Sequence, residues 1–110
     1  MTVRIAALGG SMFRWQRNQL RDDLIGVKTV IEMNGWIPNR AGSPTEGFCL
    51  LGAISHWLVN HELDANERRG ARIEAQLQKL TVSPIQFWND TVGRTPTEVI
   101  TLLERAIQQV

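Results

Sequence analysis

The sequence predicts a mainly α-helical protein, a compact bundle of about five helices preceded by a short N-terminal strand or tail. Apolar residues recur at steps of three and four from Phe13 to the last residue, and a helix-start signature appears four times. Only Val3, Ile5 and Ala7 alternate as a strand would, and Gly9-Gly10 ends that run. At 110 residues, 43% of them apolar, the chain has material for one small core and one domain. Residues 1–12 are therefore assigned to the tail or strand and residues 13–110 to a single helical domain.

The first long helix follows from Phe13, Leu20, Leu24, Val27 and Ile31, which share one helical face. It should stop at Asn34-Gly35, with Trp36 folding back onto Ile31 in a Schellman-type contact, and 37–43 should be loop. Ser43-Pro-Thr-Glu46, Asp64-Ala-Asn-Glu67, Ser83-Pro-Ile-Gln86 and Thr95-Pro-Thr-Glu98 each resemble a capping box, so helices should begin near 44, 65, 84 and 96. The second helix, through Phe48 to Leu58, is apolar around most of its circumference and should be central, with Gly52 and Ala53 letting a neighbour approach. The third sets Ile73, Leu77 and Leu80 against a polar face of Arg69, Arg72, Gln76 and Lys79. A turn or two from Pro84 breaks at Asn89-Asp90, and the last helix buries Val99, Leu103, Ala106, Ile107 and Val110.

Composition narrows function mainly by exclusion. The net charge is +1, so nothing global points to a polyanion. The apolar run 48–54 is too short to span a bilayer and the first residues do not read as a signal peptide, which places the protein in the cytoplasm. The single cysteine, Cys49, excludes an internal disulfide and a multi-thiolate metal site. Cys49 is the only thiol nucleophile on offer, near a helix start that favours thiolate. His56 lies seven residues on, about 10 Å along a straight helix, too far to serve as its base. Burial of Cys49 as a small apolar side chain is the expectation. His56 and His61 are five apart and point to different sides of a helix, so neither a metal nor any other cofactor is expected.

Arg14, Arg17, Arg21 and Lys28 follow helical spacing beside Trp15, an edge able to meet phosphates, but Asp22 and Asp23 dilute it. Any nucleic-acid binding should be weak and salt-sensitive. Arg68, Arg69 and Arg72 are flanked by Glu67 and Glu74 and read as a solvated face. The most distinctive stretch is 87–95, where Asn89, Asp90 and Arg94 either close a turn or project as contacts to a partner.

A long helix ending in Gly35-Trp36, then Cys49-Leu-Leu-Gly-Ala-Ile54, then Trp88-Asn-Asp-x-x-Gly-Arg-Thr95 leading into Glu98-Val-Ile-x-Leu-Leu, resembles an uncharacterised domain-of-unknown-function family of short bacterial and phage proteins. The likeness runs from Gln16 to Gln109. It implies a small helical domain encoded by bacteria or their mobile elements and supplies no catalytic residue. With no nucleotide loop and no nucleophile near a base, the sequence favours a non-enzymatic binding module contacting another protein. The setting expected is a phage or mobile-element protein acting on a host defence system, for example as an anti-CRISPR or similar inhibitor. The alternatives are a small-ligand or hydrolytic enzyme using Cys49 or Asp90, and a nucleic-acid binder using the Arg14, Arg17 and Arg21 edge.

Overall fold

A computed structural model describes residues 12–60 and 67–110. The expected N-terminal strand, His61 and all of the Asp64–Glu67 box except Glu67 lie outside these residues. Helix α1 (Arg14–Asn34) starts without a side-chain cap because Phe13 has no acceptor; Gln16 Oε1 instead accepts from the Phe13 N–H at 2.9 Å. Its apolar face, Leu20, Leu24, Val27, Val30 and Ile31, is buried against the rest of the molecule. The helix ends as expected at Gly35, whose N–H donates to Ile31 O at 2.8 Å. The Schellman contact does not form. Gly35 has φ 92° and ψ 167°, outside the left-handed helical region, so Trp36 runs alongside Phe48 and sends its indole to Asn89.

The helix expected near residue 44 is instead a hairpin, β1 (Gly42–Ser43) paired antiparallel with β2 (Gly47–Phe48). Half of the supposed box is present: Ser43 Oγ accepts from Glu46 N at 3.2 Å, but Glu46 Oε1 accepts from the Ser43 hydroxyl at 3.2 Å and not from its backbone N–H. These bonds close a turn, because the next residue is Gly47 at φ 98°. A Cβ there would sit 2.9 Å from the carbonyl of Gly35.

Helix α2 (Leu50–Asn60) starts after the hairpin and contacts α1 and the two helices that follow. The central position expected for it belongs to α1, the long helix against which α2, the helix after it and the last helix all pack. Gly52 permits the close approach foreseen for it: a Cβ would collide with the Ala41 carbonyl. Helix α3 (Glu67–Thr81) buries Ile73 and Leu77 with Leu80 half-buried. Its expected polar face is not uniformly solvated. Gln76 is 3% exposed and donates to Ala106 O at 3.2 Å, and Arg69 turns inward to Asp23 of α1.

Helix α4 (Ile85–Asn89) is a single short turn region in which Ser83 does not cap; its hydroxyl bonds Thr81 O. Helix α5 (Pro96–Gln108) begins with the full reciprocal box. Thr95 Oγ1 accepts from Glu98 N at 3.2 Å and Glu98 Oε1 accepts from Thr95 N at 2.9 Å. It buries Val99, Leu102, Leu103 and Ala106, while Ile107 and Val110 are half-buried. The core thus joins one face each of α1, α2, α3, α4 and α5.

Candidate functional site

The corner after α4 is organised by one buried amide. Asn89 is 2% exposed; its Oδ1 accepts from Trp36 Nε1 at 2.7 Å and from Leu50 N at 3.1 Å. Its Nδ2 donates to Asp90 Oδ1 at 2.9 Å, and that carboxylate also accepts from Asn39 N at 2.8 Å. Asn39 is held at φ 70°, a conformation that asparagine tolerates better than most residues. Asn89 therefore fastens the end of α1 and the start of α2 to α4, and through it Asp90 holds the loop before the hairpin.

Arg94 is used internally as well. Its Nε donates to Trp88 O at 2.9 Å, its guanidinium lies 3.8 Å from the centroid of the Trp88 ring, and its Nη1 reaches Glu98 Oε2 at 3.1 Å. The Thr95 N–H bond holds the Glu98 carboxyl below its ordinary pKa, with the Thr95 hydroxyl and Arg94 adding to the effect. With these groups engaged, the tip of the corner presents apolar side chains. Phe87 is 69% exposed and Val92 fully exposed, in a turn closed by Arg94 N to Thr91 O at 3.0 Å, with Gly93 at φ 87°. These two residues were not singled out in the sequence. The available signal for Phe87 was its offset of two positions from the buried Ile85, which puts it on the other side of a helix, and for Val92 its place beside Gly93 in a turn.

Beside the amide lies a cleft of about 190 Å³ lined by Asn39, Arg40, Cys49, Leu51, Gln86 and Asp90. Cys49 is half-buried, not buried, because it precedes α2 and faces this cleft; its Sγ accepts from Gly52 N at 3.3 Å. Cys49 and Asp90 thus share one cavity. His56 does not join them: it stacks on Phe48, with ring centroids 4.6 Å apart, and accepts from Asn60 at 2.9 Å. No group of three or more His, Cys, Asp or Glu able to hold a metal occurs among the described residues.

The arginines of α1 are scattered in role. Arg17 donates to Met12 O at 2.7 Å and Arg21 to Val110 O at 3.4 Å, which leaves Arg14 exposed next to Phe13 and Trp15. Asp23, taken in the sequence as diluting that edge, is 2% exposed and forms a two-pronged pair with Arg69, at 2.6 and 3.1 Å, while accepting from Trp57 Nε1 at 3.0 Å. No helix among the described residues is long and apolar enough to cross a membrane.

Comparison with known proteins finds no curated protein and no solved structure that matches the chain. A family model does match, over residues 16–109, which takes in all but the first two residues of α1, α2 through α5, and every residue of the corner and the cleft. The chain therefore belongs to a family of unknown function, DUF6197.

Proposed function

We propose that the protein is a binding module that acts by contacting another protein, with the Phe87–Val92 corner as the contact. The observation that carries this reading is the pairing of an internally bonded turn with exposed apolar tips, Phe87 at 69% and Val92 at 100% exposure. A corner already fixed by Asn89, Asp90 and Arg94 loses little freedom on association, and aromatic side chains are enriched at the centres of interfaces. The partner class favoured by the sequence is a component of a host defence system, met by a phage or mobile-element protein. The test is capture from bacterial lysate with wild-type protein and with Phe87→Asp and Val92→Asp, identifying proteins, nucleic acids and small molecules in each sample. A protein retained by the wild type and lost with either variant, at unchanged melting behaviour, supports the reading. Capture that ignores both substitutions overturns it.

A second reading, a small-ligand or hydrolytic site, is supported by the cavity that Cys49 shares with Asp90. Native mass spectrometry of the purified protein separates the two. A bound small molecule displaced by Asp90→Asn and by Cys49→Ser, and untouched by Phe87→Asp, favours the cleft.

A further inference from the structure

Helices α2 and α3 leave an open groove of about 330 Å³ between them. From α2 it receives Leu51, Ile54, Leu58 and Val59, the last 58% exposed. From α3 it receives Gly70 and Ala71, whose small size lowers that wall. The α3 rim carries Glu67 and Glu74. Among the described residues, Glu32, Glu46, Glu98 and Glu104 each pair with a cation, whereas Glu67 and Glu74 have no ion pair or hydrogen bond. Glu74 is moreover half-buried. Of the three described carboxylates without a partner, Asp22, Glu67 and Glu74, the latter two border the apolar trough, while Asp22 lies exposed on α1.

The geometry points to this groove as the docking site for an amphipathic helix of a partner protein that carries two basic residues seven positions apart along the edge of its apolar face. Glu67 and Glu74 are themselves seven positions apart on one helix, two turns or about 10.5 Å at the helical rise. A helix lying along α3 repeats that spacing and sets one Lys or Arg against each carboxylate, while its apolar side chains enter between Leu51 and Val59. Gly70 and Ala71 let its backbone come near enough for interaxial packing. The charges select a basic helix and reject an acidic one. This contact is separate from the Phe87–Val92 corner and does not depend on it.

The probe is a fluorescein-labelled amphipathic peptide of about five helical turns with Leu on one face and two Lys seven apart at its edge. A second peptide has Glu in place of both Lys. Fluorescence anisotropy against the full chain should show saturable binding of the Lys peptide, weakened by salt. Glu74→Lys should weaken it about ten-fold or more, Ala71→Trp should abolish it by filling the groove, and Phe87→Asp should leave it unchanged. Circular dichroism melts establish that each variant is folded. Equal affinity for the Glu peptide, or indifference to both Glu74→Lys and Ala71→Trp, overturns the proposal. So does self-association of the chain that Ala71→Trp removes, which would make a second copy the occupant.

Discussion

Replacing Asn89 by alanine isolates the amide on which the corner depends. The substitution removes the acceptor of two donors, the indole N–H of Trp36 and the backbone N–H of Leu50, and the donor that Asp90 accepts from. The Leu50 bond is buried, so its N–H is left with no partner, at about 1–3 kcal/mol. Trp36 and Asp90 are half-buried and can regain water, which puts their share at the low end of the same range. The expected loss is about 3 kcal/mol, a large part of the roughly 5–15 kcal/mol by which such domains are stable. In urea, with a slope of about 1.5 kcal/mol/M, the midpoint should fall by about 2 M at unchanged slope. Asn89→Asp keeps the accepting oxygens but sets a second carboxylate beside Asp90, so it should destabilise more at neutral pH than in mild acid. A loss below about 1 kcal/mol for Asn89→Ala, the size of an ordinary surface change, would refute the assignment of the amide as the tie between these segments.

Asp23→Ala should cost about 3–5 kcal/mol in the same melts because it strands the Arg69 guanidinium, and combining Asp23→Leu with Arg69→Met should recover most of it. Gly26→Ala, which in an open helix would gain about 1 kcal/mol, should instead destabilise by about 1–2 kcal/mol, since a Cβ there runs into the Trp57 indole. Thr95→Ala should cost about 1 kcal/mol as a lost N-cap. The lowered Glu98 pKa means its contribution is complete above the ordinary carboxylate range and is lost as pH falls through the lowered folded value; Glu98→Gln should flatten that part of the stability profile. Cys49 should react with a small disulfide reagent in the native state at a rate independent of added denaturant, and protection lifted only by unfolding would contradict its half-buried position.

The helices were legible where periodicity ran long. Leu20, Leu24, Val27 and Ile31 mark one face of α1, and Val99, Leu103 and Ala106 mark α5. The two Ser/Thr-Pro-Thr-Glu tetrapeptides show where local pattern stops being enough. In both the Ser or Thr hydroxyl accepts from the Glu N–H, but only Glu98 reaches back to the backbone and is followed by an apolar residue that continues the helix, whereas Gly47 follows Glu46 and must fit against the Gly35 carbonyl. That requirement is set by a residue twelve positions away. The buried pair of Asp23 with Arg69 is beyond local reading for the same reason, since 46 positions separate its members. In the corner, Asn89 was expected to close the turn, but its amide reaches Trp36, Leu50 and Asp90 instead, partners that local chemistry does not reveal, and the turn is closed by Thr91 and Arg94. Cys49 was misplaced because type-average burial says nothing about a residue standing just outside a helix that opens on a cleft.

The hairpin also sorts its own residues by how freely they can be altered. Gly47 abuts the Gly35 carbonyl and Gly42 abuts Gly47, so the base of the hairpin is assembled from main chain alone and has no room for larger residues. Its tip is different. Pro44, Thr45 and Glu46 are exposed, and the bonds they share reach no farther than Arg40. Chain length can therefore be added at the tip with little entropic penalty, because closing a longer loop costs only slowly more. A short epitope or a fluorophore-accepting peptide grafted between Ser43 and Gly47 would ride on a base that cannot readily shift, and its reach toward the cleft would be through the Arg40–Glu46 pair.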